Sequence, residues 1–220
     1  MKLFAHRGWS QGAGENTLEA FARAAADPRL SGVELDVRRG LTVGTLVVTH
    51  DPPRAAAPVL LLDDLLAFLA GTDLELLVEV KEVGIASAVI ERLVACGVAE
   101  RSVVFAFAGV ARFFPWTRPR RVRLGAILLY PWTMHRFIDA HDPDVILLGW
   151  DERPWTRLAF RAWWSVFSLA RMSHRTRKPV VAGIVRRSGD LHWLAARNVS
   201  AAVADMDFIE DTPGAAMPSS

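Results

Sequence analysis

Leu74-Glu75-Leu76-Leu77-Val78-Glu79-Val80 is followed by Ile85-Ala86-Ser87-Ala88-Val89-Ile90-Glu91-Arg92-Leu93-Val94-Ala95 and then by Val103-Val104-Phe105-Ala106-Phe107. A short apolar run, a helical stretch and a second apolar run in that order predict a parallel βαβ unit. The same rhythm extends in both directions. Upstream, strands are expected at Leu3–Ala5 and Val33–Val37, with a helix from about Thr17 to Ala26 and another over Asp63–Ala70. Asn16, with Glu19 three residues on, offers the first helix a cap. Downstream, strands are expected at Val122–Leu129, Val145–Leu148, Pro179–Val185 and Ala201–Ala204, with an aromatic helix over Trp155–Met172 and another over Leu191–Arg197. Thr45–Thr49 is also extended, but it is assigned to a long loop. Eight strands then alternate mainly with helices, which predicts an α/β fold, a single-domain (β/α)8 TIM barrel. At 220 residues the chain is shorter than the ~250 typical of that fold, so its loops should be short. The stretch after Asp205 is too short and too rich in Pro and Gly for a full last helix. The expected division is a barrel over 1–210 and a C-terminal tail over 211–220.

Composition narrows the function. Hydrophobic residues make up 51% and charged residues 23%, enough to build a core and too ordered a mixture for a disordered chain. Twenty-six basic against 24 acidic side chains leave +2, so no nucleic-acid partner is expected. Only Lys2, Lys81 and Lys178 among the basic residues are lysines. The single Cys96 excludes a disulfide framework and a multi-cysteine zinc site. Leu3-Phe4-Ala5 is interrupted by His6 and Arg7, which is unlike a secretory signal, and a cytoplasmic protein is the expectation.

Functional groups in such barrels sit at the carboxyl ends of the strands, and the unusual residues of this chain fall there. Strand one ends in His6-Arg7-Gly8. The period of two puts Glu34 and Asp36 on one face of the second strand, and Glu79 and Lys81 on one face of the next. The Thr45–Thr49 run ends in His50-Asp51-Pro52. Three carboxylates aimed at one mouth repel, so at least one is protonated at neutral pH unless a cation sits among them. An all-oxygen set suits Mg²⁺ or Ca²⁺ better than zinc. With two imidazoles, Arg7 and Lys81 around it, that set describes a site for a phosphate ester.

His6-Arg7-Gly8, Glu15-Asn16-Thr17, Glu34-x-Asp36, His50-Asp51 and Glu79-x-Lys81 occur in the order and spacing that resemble the glycerophosphodiester phosphodiesterase family, metal-dependent (β/α)8 barrels. The resemblance covers residues 2 to 81, and only the strand–helix rhythm continues it. It implies that His6 and His50 are the general acid–base pair. It implies that Glu34, Asp36 and Glu79 hold one divalent cation, Mg²⁺ or Ca²⁺, and that Arg7 and Lys81 contact the substrate phosphate. The implied reaction cleaves a small-molecule glycerophosphodiester to glycerol 3-phosphate and an alcohol. Similar barrels act on lysophospholipids through a cyclic phosphate, and the residues do not choose between that route and direct attack by water. Three departures stand out. Pro52 to Pro58 leads almost directly into Leu60, where the family carries a longer segment. Apolar Phe105-Ala106-Phe107 replaces a polar strand end, and Val180-Val181-Ala182-Gly183-Ile184 lacks the late Trp motif.

Two alternatives remain: a lysophospholipase D-like enzyme acting on lysolipids, and a non-catalytic barrel that binds phosphate or lipid headgroups. The histidine pair argues against the second, since binding alone needs no titrating groups. Glu15 and Asn16 read as structural, closing a turn and capping a helix. Arg112, Arg118, Arg120, Arg121 and Arg123 read as a solvated face. The 155–172 helix reads as packed on the barrel, with peripheral membrane contact left open. His135, His141, His174 and His192 follow no ligand spacing. Asp205 either faces the site or caps the final turn.

Overall fold

The computed structural model describes residues 1–9, 14–55, 58–117, 120–150 and 153–210. Ten strands and nine α-helices are found among them, with a 3-10 turn at Ala99–Arg101. The strands are β1 (Lys2–Ala5), β2 (Gly32–Arg39), β3 (Leu46–Val48), β4 (Leu60–Leu61), β5 (Glu75–Val80), β6 (Ser102–Phe107), β7 (Arg123–Ile127), β8 (Val145–Gly149), β9 (Val180–Val185) and β10 (Ala201–Ala204). The helices are α1 (Leu18–Ala25), α2 (Leu62–Ala70), α3 (Ala86–Ala95), α4 (Ala108–Ala111), α5 (Pro131–His141), α6 (Pro154–Val166), α7 (Leu169–Thr176), α8 (Ser188–Ala195) and α9 (Met206–Glu210). Parallel pairing runs β1–β2–β5–β6–β7–β8–β9–β10 and returns from β10 to β1, closing an eight-stranded barrel. The expected (β/α)8 fold is found, and the last helix is five residues long within the described chain.

The alternation of each strand sorts its side chains into two layers. Phe4, Leu77, Val103, Phe105, Leu147 and Val203 fill the barrel interior. Leu3, Ala5, Val33, Leu35, Val78 and Val80 belong to the larger core between the barrel and its helices. Gly32 is required where it stands, because a β-carbon there would meet the Glu75 carbonyl and the Phe4 ring. Lys2, Glu75 and Arg123 form ion pairs at the amino-terminal ends of their strands.

Several expectations are corrected. Thr45–Thr49 is not wholly loop: Leu46–Val48 pairs antiparallel with the upper half of β2, Val48 opposite Val37 and Leu46 opposite Arg39. The cause is geometric. β1 stops at Ala5, level with Val33, so the edge of β2 above it would otherwise lack a partner. The 155–172 helix is two helices, broken at Phe167–Ser168, where Ser168 adopts φ 56° and caps α7 by accepting from the Arg171 N–H. Val122–Leu129 ends as a strand at Ile127, and Pro131 opens an unforeseen helix at its first turn. The helix expected over Leu191–Arg197 is α8, which begins at Ser188 and ends at Ala195. No described helix is long and apolar enough to cross a membrane.

Candidate active site

Glu34, Asp36 and Glu79 come together at the carboxyl end of the barrel. β2 and β5 pair with Asp36 opposite Glu79, so three acidic side chains at alternate positions project from neighbouring strands into one space. One carboxylate oxygen from each lies within 4.8 Å of the others, and all three residues are at least nine-tenths buried. Burial of so much like charge demands compensation. Lys81 supplies part of it, 3.0 Å from Asp36 Oδ1 and donating to Glu79 Oε1 at 2.8 Å. Arg7 supplies the rest, its Nε 3.0 Å from Asp36 Oδ2 and its Nη1 donating to Glu15 at 2.5 Å. Two cations against the three carboxylates leave the cluster anionic.

The titration behaviour follows from those distances. Burial, reinforced by Asp36 and Glu79, pushes the Glu34 carboxyl well above the usual carboxylate range. Burial also raises Glu79, against the pull of Lys81. Burial would raise Asp36 as well, but Lys81 and Arg7 outweigh it and hold Asp36 below its ordinary value. The metal-free cluster thus favours the protonated form of Glu34 more than an isolated carboxyl would. The donor set is wholly carboxylate, and a spacing of up to 4.8 Å lies within what an ion with oxygen ligands at about 2.3–2.6 Å can bridge. The residues fit a hard divalent cation.

His6 is placed by the closure of the barrel. Ala5 lies opposite Ala204, so the next residues on β1 and β10 are neighbours. His6 Nδ1 is 2.6 Å from Asp205 Oδ1, and His6 Nε2 is 3.9 Å from Glu34 Oε2. The Asp205 contact selects the Nδ1–H tautomer and leaves Nε2 turned toward the carboxylates. Asp205 also accepts from Arg186 Nε at 2.6 Å. Although burial opposes it, the bonds to His6 and Arg186 hold Asp205 below its ordinary value. Asp205 therefore faces the site, the first of the two roles its position allowed.

His50 follows β3, and the Thr49 N–H between them donates to the Asp36 carbonyl at 3.0 Å. Arg38 Nε holds the His50 carbonyl at 2.8 Å. The His50 ring is 44% exposed, contacts Asp51 at 2.9 Å and lies close enough to Glu79 to act on its charge. Arg7, with φ 52°, begins the tight turn after β1, and its N–H donates to Glu34 Oε2 at 3.1 Å. Asn16 does not cap α1. Thr17 does, accepting from the Ala20 N–H, while Asn16 is buried with its amide on Asp36 at 3.2 Å. Sequence reasoning thus underrated Asn16 and missed Arg186. Asn16 carried a signal, since φ 57° is tolerated best by Asn and Gly; Arg186 carried none.

The other half of the mouth is apolar. Phe107 ends β6, Leu129 and Tyr130 follow β7, and all three are about half exposed. The arginine-rich segment does not form a solvated face as a whole. The Arg120 side chain is buried and bonded to Asp144 and to the carbonyls of Trp116, His141 and Asp142, while Arg118 lies outside the described residues. Phe160 and Trp164 of α6 pack on the barrel, but Trp155, Leu158 and Val166 point outward. Glu34, Asp36 and Glu79 form the one potential metal-binding group among the described residues, and His135, His141, His174 and His192 take no part in it.

No known protein-family profile matches the chain, and no curated protein matches it. Solved structures do. A glycerophosphodiester phosphodiesterase from Parabacteroides distasonis aligns over 93% of this chain and 92% of its own, with a TM-score of 0.73 at 16% identity. An Oleispira antarctica phosphodiesterase, solved with its product sn-glycerol-3-phosphate, aligns over 96% and 97%, with a TM-score of 0.72 at 15% identity. A calcium-dependent phosphoinositol-specific phospholipase C from Pseudomonas aligns over 97% and 91%, with a TM-score of 0.61 at 9% identity. The chain has the fold of the solved glycerophosphodiester phosphodiesterases.

Proposed function

We propose that this protein is a metal-dependent phosphodiester hydrolase that cleaves glycerophosphodiester-type substrates to a phosphomonoester and an alcohol. The carrying observation is the orientation of His6, pinned through Nδ1 by Asp205 and facing a buried cluster of three carboxylates through Nε2. A structural histidine needs no acidic cluster before its free nitrogen. A structural acidic cluster is an expensive way to fill a barrel mouth. Glu34, Asp36 and Glu79 would hold one Mg²⁺ or Ca²⁺, which supplies charge neutralisation of the phosphate oxygens. Arg7 and Lys81, already paired with these acids, offer guanidinium and ammonium donors to the same phosphate. His6 and His50 act as the proton-transfer pair. One imidazole accepts the proton of the attacking group, water for direct hydrolysis or a neighbouring substrate hydroxyl for a cyclic phosphate that water then opens, and the other returns a proton to the leaving alkoxide. The likeness to phosphodiesterases of the same fold supports the reaction class.

The reading extends to peripheral contact with a lipid surface through α6. Its outward stripe of Trp155, Leu158, Ala159, Ala162 and Val166 is apolar, and no acidic residue occurs from Arg153 to Lys178. The test of the reaction is hydrolysis of bis(p-nitrophenyl) phosphate with Mg²⁺, Ca²⁺ or EDTA. Turnover that needs the metal and disappears in His6→Ala is expected. A folded protein without turnover under any metal would overturn the proposal.

A further inference from the structure

We propose that Arg38 is a positioning residue: its guanidinium bridges the segment that carries His50 and the loop that follows β5, and so sets where the His50 imidazole stands beside the carboxylates. The inference deepens the phosphodiesterase reading and rests on it for the role of that imidazole. Its ground is the way His50 is held. The β2–β3 ladder ends with Val48 opposite Val37, two residues short of His50. Above it the Thr49 N–H donates to the Asp36 carbonyl at 3.0 Å, and Arg38 Nε donates to the His50 carbonyl at 2.8 Å. Pro52 and Pro53 follow, and neither has an N–H with which the chain could rejoin the sheet. The His50 side chain is nearly half exposed, so its ring is placed by its backbone more than by packing.

Strand register places Arg38 where it reaches both loops. The period of two puts it on the face of β2 that carries Glu34 and Asp36, one step beyond Asp36. β5 ends at the same level: the Lys81 N–H donates to the Val37 carbonyl at 3.1 Å, and Glu82 is the next residue. Arg38 Nη1 donates to Glu82 Oε1 at 3.2 Å, and the Arg38 side chain is largely buried. One planar guanidinium thus spans the ends of β3 and β5, with a carbonyl on one edge and a carboxylate on another. Its charge strengthens the bond to the carbonyl. A lysine is no substitute, since one ammonium on a flexible stem does not hold two acceptors in fixed directions. With Nε and Nη1 on protein acceptors and Glu82 balancing its charge, Arg38 serves the imidazole and not the substrate phosphate, a role the proposed reaction gives to Arg7 and Lys81.

The consequence is one of distance. An imidazole exchanges a proton with a reacting oxygen only within hydrogen-bond reach, about 2.6–3.2 Å. A misplacement of about 1 Å costs on the order of 10²-fold in rate. Without Arg38, the His50 carbonyl and Glu82 lose the donor between them, and the segment that carries the ring gains freedom. Arg39 is the contrast. It pairs with Glu82 Oε2 at 3.5 Å and donates to the Val83 carbonyl at 2.9 Å, both on the β5 side.

The experiment measures kcat and KM for bis(p-nitrophenyl) phosphate with Mg²⁺ or Ca²⁺, and metal binding by calorimetry. It also follows the His50 imidazole signals by NMR of the metal-free protein, identified by their absence from His50→Ala. Arg38→Met keeps the stem and removes the donors. Arg38→Lys keeps the charge without the fork and carries the same test if the first variant does not fold; Arg39→Met is the control. Arg38→Met should lower kcat by about 10–100-fold with KM and metal affinity within about twofold of wild type, and Arg38→Lys should recover part of the loss. Arg39→Met should match wild type. In a His50→Ala background, Arg38→Met should cost less than about twofold more, because the ring it positions is gone. The His50 signals should shift or broaden in both Arg38 variants and stay in place in Arg39→Met. Equal losses in the two backgrounds, a raised KM at unchanged kcat, or unmoved His50 signals would overturn the positioning role and leave the reaction standing. Moved His50 signals in a protein that turns over no diester would sustain the bridge and overturn the phosphodiesterase reading.

Discussion

At the scale of single residues, the account turns on charges that are costly to bury and are buried together. Replacing His6 or His50 by Ala should lower kcat by about 10²–10⁴-fold, the usual contribution of a general acid or base, while calorimetric metal binding persists. Asp205 acts through His6, so Asp205→Asn should lower kcat by about 10–100-fold with metal affinity unchanged; an equal loss of metal affinity would place Asp205 among the ligands instead. Glu34 and Glu79, both raised, bind protons in the folded state that the unfolded chain has already released. The stability of the metal-free protein should therefore fall as pH rises above the ordinary glutamate value of about 4.5. Glu34→Gln removes that penalty, so at pH 8 the metal-free variant should melt higher than metal-free wild type, by roughly 2–4 °C for each kcal/mol relieved. Added Mg²⁺ or Ca²⁺ should stabilise only the wild type. A metal-free variant that melts lower would contradict the assignment. His6, Glu34, Asp36 and Glu79 were legible because strand alternation and the ends of strands announce them. The pairing of His6 with Asp205 was not, because barrel closure joins residues 199 positions apart.

At the scale of elements, local chemistry decides where helices begin. Thr17 rather than Asn16 caps α1, since Asn16 in the left-handed region directs its amide to Asp36 instead. Thr17→Ala should cost about 1 kcal/mol in a denaturation experiment, with kcat unchanged, whereas Asn16→Ala should lower activity by loosening Asp36. Equal effects of the two would show that Asn16 serves only the turn. The fusion of α6 and α7 in the sequence reading had a physical source: no Gly or Pro marks the break, and Ser168 carries an unusual φ that composition does not announce. α5 was missed because the run from Leu124 to Met134 carries no charge that would set a helix off from the strand expected over Val122–Leu129. Its boundary rests on Pro131 at the first helical position. The outward stripe of α6 predicts co-sedimentation with anionic vesicles, reduced by Trp155→Ala with Leu158→Ala. Wild type left in the supernatant would remove membrane contact.

At the scale of the whole molecule, closure of the barrel and assembly of the site are one event. β10 pairs with β1 along its full length, and it delivers Asp205 to His6 as it does so. The overall fold was legible because eight strand signals survive in the sequence even with β3 set aside. The most direct test of the central claim, one metal-dependent phosphodiesterase centre at the mouth, is ³¹P NMR of glycerophosphocholine and lysophosphatidylcholine incubated with the protein and Mg²⁺ or Ca²⁺. The account predicts that a diester resonance is replaced by that of a phosphomonoester or cyclic phosphate, and that EDTA, His6→Ala and His50→Ala each prevent it. Unchanged diester signals from folded, metal-loaded protein would contradict it.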